Sequence, residues 1–183
     1  MNSRMFGMLL ISATMMLGAS KEAKPLPGTD EAIAAQVRHE VVMYPRYTIW
    51  DDVSFRVSGG QVELIGWVSQ PYKKDDIERL VRHVPGVTSM SDQIKVLPLS
   101  TQDDRLRLQV ARAIYRDPVF TRYAMMPLPT IHIIVDNGQV TLSGVVRTEM
   151  EKQVAGLRAS TAGLSFGNVV NNLQVENPPA KKS

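Results

Sequence analysis

One ten-residue stretch occurs twice. Gly59-Gly60-Gln61-Val62-Glu63-Leu64-Ile65-Gly66-Trp67-Val68 returns as Asn137-Gly138-Gln139-Val140-Thr141-Leu142-Ser143-Gly144-Val145-Val146, identical at six of ten positions. Each copy puts a tight-turn dipeptide before alternating apolar residues, the pattern of a hairpin turn and its returning strand. The copies lie 78 residues apart (60 to 138). A 183-residue chain built this way reads as one small module used twice.

In the first copy, Thr29 or Asp30 can cap a helix whose apolar positions are Ile33, Val37, Val41 and Tyr44. Pro45 ends it, because proline removes a donor and disfavours helix in the residue before. Val53, Phe55 and Val57 alternate as a first strand, and Val62, Leu64, Gly66 and Val68 as the strand that returns. A glycine inside a strand predicts close packing of a helix at Gly66 or a bulge. Pro71 suits the first position of a second helix. That helix carries Ile77, Leu80, Val81 and Val84 on one side and Lys73, Lys74, Asp76 and Arg79 elsewhere, and Pro85-Gly86 stops it. Ile94 and Val96 mark a third strand. The order is α-β-β-α-β. Its final β-α-β step predicts a right-handed crossover with the second and third strands parallel. The fold class expected is α+β, an α/β sandwich: two tandem modules, each a mixed three-stranded sheet with two helices on one face.

In the second copy, Gln102-Asp103-Asp104 starts the equivalent helix, with Leu106, Val110, Ala113 and Ile114 as its core stripe. Pro118 matches Pro45 at an offset of 73, so five residues were inserted between there and the hairpin, within Val119–Thr130. That insertion reads as an apolar loop with two prolines. Ile131, Ile133 and Val135 form the first strand, and Asn137-Gly138 favours a type I′ turn. Thr148 and Glu151 stand at capping-box spacing at the start of a helix reaching Ala162. Val169, Asn171, Leu173 and Val175 complete a third strand. The corner before it lacks the Pro-Gly of the first copy and should differ.

The ends are unlike the modules. Arg4 is the only charge in the first 20 residues, Met5 to Leu17 is apolar or small, and Leu17-Gly18-Ala19-Ser20 offers a cleavage site. Residues 1–20 therefore read as a secretory signal cut after Ala19 or Ser20, with an uncleaved anchor as the alternative. Residues 21–28 form a linker, the modules cover 29–98 and 101–177, and 178–183 is a disordered tail. Net charge is +3, but residues 30–97 carry 8 basic and 10 acidic side chains and residues 103–176 carry 8 and 7. The basic excess sits at the ends, which argues against a nucleic-acid partner. The chain has no cysteine, which excludes disulfides, thiolate metal sites, cysteine nucleophiles and lipid attachment to an N-terminal cysteine.

These residues together resemble the BON domain, named for bacterial osmotically induced and nodulation proteins. The features that carry the resemblance are a first helix ending at Tyr44-Pro45 or Asp117-Pro118 and Gly-Gln-Val-x-Leu-x-Gly-x-Val at 60–68 and 138–146. After the second helix come Gly86-Val87 and Met90-x-Asp92-x-Ile94-x-Val96, with Val169-x-Asn171-x-Leu173-x-Val175 in the second copy. The resemblance implies a non-enzymatic protein of the periplasm, linked to phospholipid binding and to envelope integrity under osmotic stress. Its partners would be anionic phospholipid surfaces, or envelope proteins if it acts as an adaptor or chaperone-like stress protein. The missing cysteine sets this chain apart from relatives that are lipoproteins.

No catalytic, cofactor or metal site is legible. His39, His83 and His132 are not at ligand spacing, and no serine or glycine pattern fits a nucleophile elbow or phosphate loop. No small-molecule substrate is expected. One surface stands out. Arg105, Arg112 and Arg116 recur at i, i+7 and i+11 on one helix, with Leu108 and Tyr115 on an adjoining face. A basic stripe beside apolar residues suits an anionic lipid surface. Equally, Leu108 and Tyr115 could pack against the other module and leave the arginines solvated. Tyr123, Met125, Met126 and Leu128 in the insertion admit the same two readings: lipid or partner contact, or a cover for their own domain.

Overall fold

The computed structural model describes residues 28–162 and 169–176. The expected signal and C-terminal tail, and the linker up to residue 27, lie outside the described residues, as does the corner after Ala162. The first module is α1 (Asp30–Val42), β1 (Asp52–Ser58), β2 (Gln61–Val68), α2 (Pro71–Arg82) and β3 (Ser89–Val96). The second is α3 (Thr101–Tyr115), a 3-10 turn (Pro118–Phe120), α4 (Thr121–Ala124), β4 (Ile131–Asp136), β5 (Gln139–Val146), α5 (Glu149–Ala162), β6 (Val169–Asn171) and β7 (Gln174–Val175).

Local chemistry sets the helix starts. The Thr29 side chain accepts from the Ala32 N–H, and Ser100 Oγ accepts from the Asp103 N–H at 3.1 Å, so α3 begins before Gln102. At α5 the capping box closes in both directions. Thr148 Oγ1 accepts from the Glu151 N–H at 3.1 Å, and the Glu151 carboxylate accepts from the Thr148 N–H at 3.0 Å.

Both sheets have the expected mixed topology. β1 pairs β2 antiparallel and β2 pairs β3 parallel, while β4 pairs β5 antiparallel and β6 and β7 both pair β5 parallel. The core of the first module joins Ile33, Val37 and Val41 of α1 to Ile77 and Val81 of α2 over Val62, Leu64, Val68 and Ile94. The second joins Val110 and Ile114 to Ala155 and Ala159 over the inward residues of β4 and β5.

Three expectations are corrected. First, Gly66 and Gly144 serve neither a helix nor an inserted residue: the β1–β2 register runs through Val53–Gly66 without interruption, and the β4–β5 register ends on the Ile131–Gly144 pair. They sit at φ +136° and +101°, and an added Cβ would lie 1.9 Å from the carbonyl oxygen of Asp52 at the start of β1 or of Thr130 just before β4. Second, the insertion is not simply a loop. It folds into the 3-10 turn and α4, and Phe120 and Tyr123 enter the core. Third, the last strand of the second module is broken into β6 and β7. Asn171 Oδ1 takes the Leu173 N–H at 3.3 Å and its Nδ2 donates to Lys152 O at 2.7 Å, drawing this residue toward α5. Asp92 takes the Ile94 N–H in the same way in the first module, within a strand that stays continuous.

The modules touch through the segment after α1. The Ile133 N–H on the outer edge of β4 donates to Ile49 O at 2.7 Å, the Tyr47 and His132 rings lie 5.6 Å apart, and Trp50 packs on the second core. The first module thus covers part of an edge strand of the second, which would otherwise offer unpaired backbone groups.

The glycines make a graded prediction. Gly66→Ala and Gly144→Ala should each destabilise by about 3 kcal/mol or more, because backbone must move. Gly59→Ala and Gly138→Ala, with φ of +57° and +80° and nothing within 4 Å of the new Cβ, should cost about 1 kcal/mol. Urea unfolding of the four variants checks the ranking.

Candidate functional site

Three polar arrangements hold this scaffold, and a fourth faces outward. In the first, a carboxylate at the start of each module grips the hairpin turn. Asp30 accepts from the Gly59 and Gly60 N–H groups at 2.7 and 2.9 Å, and Asp103 accepts from Asn137 and Gly138 at 3.1 and 2.9 Å. Hydrogen bonds from the Gly60 and Gly59 amides hold the Asp30 carboxyl below its usual range.

The second is a buried centre in the first module. Asp51 accepts from the Ser69 N–H and Oγ through one oxygen, and from the Thr48 N–H, Thr48 Oγ1 and Lys73 Nζ through the other. The Lys73–Asp51 distance is 2.6 Å and both side chains are almost wholly buried. A buried ion pair is tolerable only when its remaining hydrogen-bonding capacity is met, and here Lys73 also reaches Ser69 and Thr48. Lys73 therefore does not join the outer face expected for it. The centre fixes the segment from Thr48 to Asp51 that carries Ile49 and Trp50 to the second module.

The third arrangement is in the second module. Tyr123 is 2% exposed, and its hydroxyl donates to the Glu151 carboxylate at 2.9 Å and accepts from the Arg147 N–H at 3.0 Å. Burial raises the Glu151 carboxyl, but bonds from Tyr123, Arg147 and Thr148 outweigh it and leave the group below its usual range. At the end of α3, the Val119 N–H and then Arg158 hold the Asp117 carboxyl low. Arg107 is buried too. It donates to Val135 O at 2.7 Å and pairs with Asp104, tying α3 to β4.

The outward arrangement is the α3 face. Arg105, Arg112 and Arg116 are exposed, and none forms a salt bridge among the described residues. Leu108 is 48% exposed, so the first module does not cover it. Met125 and Met126 are also exposed. Two residues leave the candidate surface. Tyr123 is core, as above. Tyr115 packs on the second core and its hydroxyl donates to Ile131 O at 2.5 Å, because a helix turning into the insertion aims it inward. Burial raises its phenol above the ordinary value.

Of the histidines, His39 and His83 are exposed and His132 rests on Tyr47. Among the described residues no group of His, Cys, Asp and Glu is placed to hold a metal ion, and no helix is long and apolar enough to cross a membrane. Sequence reasoning missed Asp51, Lys73 and Arg107. A buried charge leaves no trace in apolar periodicity, and Lys73 lies one turn before Ile77 on the core side of α2. It also missed Met150, 61% exposed on α5.

The BON domain family profile matches residues 29–98 and 102–177, and the chain belongs to that family. BON domains are generally non-catalytic, and membership suggests in general a phospholipid-binding envelope or stress protein. Among solved structures, the chain is similar to the C-terminal domain of CdsD, the structural protein of the type III secretion system of Chlamydia trachomatis. Identity is 18% over 74% of this chain and 62% of that one, with a TM-score of 0.29. A second structure of CdsD matches at 14% identity, over 77% of this chain and 90% of that one, with a TM-score of 0.28. No curated protein matches.

The lowered carboxyls set a pH dependence. A group whose folded-state pKa is depressed contributes stability above its unfolded value and loses it as pH falls through the folded value. For Asp30, Asp117 and Glu151 the ordinary values are 3.8, 3.8 and 4.5. The urea midpoint should hold steady above about pH 5 and fall steadily below about pH 4. Asp30→Asn should lower stability at neutral pH and flatten that acid slope.

Proposed function

We propose that this is an exported, non-enzymatic envelope protein whose second module binds anionic phospholipid surfaces and supports envelope integrity under osmotic stress. The observation that carries the lipid reading is the exposed α3 face. Arg105, Arg112 and Arg116 form no salt bridge among the described residues and stand on the same helix as the exposed Leu108. Cations on such a face attract anionic headgroups, and a neighbouring apolar side chain inserts shallowly among them. The corresponding face of α1 carries Arg38, His39 and Glu40, without the three-arginine stripe. Placement in the periplasm rests on the apolar, small-residue character of residues 1–20. With no cysteine in the sequence, attachment would not be through a cysteine-linked acyl chain.

Vesicle flotation of the purified chain tests this reading. Binding to phosphatidylglycerol-containing vesicles should weaken with salt and be absent on phosphatidylcholine alone. A basic residue near an anionic surface contributes about 1 kcal/mol. Arg112→Glu reverses one charge, so affinity should drop by about 2 kcal/mol, roughly thirtyfold. Undiminished flotation of that variant would remove α3 as the site. No flotation of the parent chain, with envelope proteins co-purifying instead, would favour an adaptor.

A further inference from the structure

Three exposed methionines lie toward one end of the second module, outside the α3 stripe. The Tyr123–Glu151 hydrogen bond and the Arg147 N–H to Tyr123 hydroxyl bond tie the end of α4 to the start of α5. Met125 and Met126 lie two and three residues beyond Tyr123, and Met150 directly precedes Glu151, so this tie brings all three to the same end of the module. They are 80%, 39% and 61% exposed. Arg122 and Arg147 are exposed at this end, with Glu149 in the first turn of α5 and the exposed Glu176, whose carboxylate lies 3.9 Å from Arg147. Arg116 caps the C-terminus of α3, where Asp117 is held by Arg158 in the second half of α5 and the chain turns through Pro118–Phe120 into α4. Arg116 and Arg122 form no salt bridge among the described residues, so the chain leading from the α3 face to these methionines carries the same sign of charge.

Methionine has two relevant properties. Its thioether is soft and apolar and adapts to irregular surfaces, and it is oxidised by peroxides to a polar sulfoxide. Buried thioethers are shielded from that chemistry, and these three are not. We propose that Met125, Met126 and Met150 form the apolar, bilayer-facing part of the binding surface, and that their oxidation by a peroxide releases the protein from the membrane. The inference rests on the lipid reading above. In the reaction, a sulfur lone pair attacks one peroxide oxygen and the O–O bond breaks. The sulfur is oxidised by two electrons and becomes S=O, while the second oxygen leaves with the protons as water. The sulfoxide oxygen then accepts hydrogen bonds that acyl chains cannot supply, and the patch loses its affinity for the bilayer.

The test uses the full chain, hydrogen peroxide and phosphatidylglycerol vesicles. Mass spectrometry of peptides should show residues 125, 126 and 150 oxidised, and flotation of the treated protein should weaken about tenfold, the order expected for stranding hydrogen-bonding groups at an apolar boundary. The triple variant Met125→Leu, Met126→Leu, Met150→Leu keeps apolar bulk and lacks the sulfur. It should float like the parent before and after peroxide. If the untreated parent does not float, the lipid reading itself fails. If it floats and oxidation of the three residues leaves binding unchanged, or if the triple leucine variant is still released by peroxide, the methionine inference is overturned. A loss of binding in Arg112→Glu alone, with the methionines indifferent to oxidation, would overturn the methionine inference and confine lipid contact to the α3 face.

Discussion

Each module depends on two backbone N–H groups pointing at one carboxylate. The turns at Gly59-Gly60 and Asn137-Gly138 place consecutive residues at positive φ, from +50° to +80°. That geometry leaves both amides on one side of the turn, where an anion fits between them. Asp30 and Asp103, at the starts of α1 and α3, supply it. One contact therefore joins the first helix to the hairpin tip across 29 to 35 residues of chain. With the tip held, the register of the hairpin follows. The crossing at Gly66 or Gly144 then falls where only glycine fits against the partner carbonyl.

The duplication shows how firmly this contact is kept. The offset between copies is 73 at the carboxylate and 78 at the turn, so the insertion lies between the two ends of the contact. It is accommodated as the 3-10 turn and α4, with Phe120 and Tyr123 filling core space and the clamp unchanged. The copies differ more in their other supports. The first uses the buried Lys73–Asp51 pair, and the second uses the Tyr123–Glu151 pair and Arg107. The Thr48–Asp51 segment fixed by the former reaches across to β4, so a support of one module also sets the contact between the two.

Much of the fold was legible in sequence because it is written in periodicities and punctuation. Pro45, Pro71, Pro118 and the two turn dipeptides bounded the elements, and alternation at 62–68 and 140–146 identified the central strands. What escaped depends on the third dimension. Gly66 reads as a glycine that packs on a helix or makes a bulge, but its neighbour is the carbonyl of Asp52, and no pattern along one strand says which backbone approaches it. Tyr123 sits in an apolar loop that has no repeat counterpart, so only the tertiary path decides whether it faces water or core. Lys73 reads as surface by residue type and is buried because Asp51 waits beneath it. The spacing of Arg105, Arg112 and Arg116 is enough to put them together on an exposed face of α3. Leu108 and Tyr115, equally apolar and seven apart, separate only once the insertion turns Tyr115 inward.

The framework is thus shared between the copies, and the proposed binding surface belongs to the second alone. Because the chain has no cysteine, a single environment-sensitive fluorophore can be placed at equivalent helix positions, through Arg112→Cys in one protein and His39→Cys in another, 73 residues apart. With phosphatidylglycerol vesicles, the label at 112 should shift to shorter wavelength and become shielded from aqueous quencher, while the label at 39 stays unchanged. Equal shifts at both positions, or a shift at 39 alone, would contradict the account.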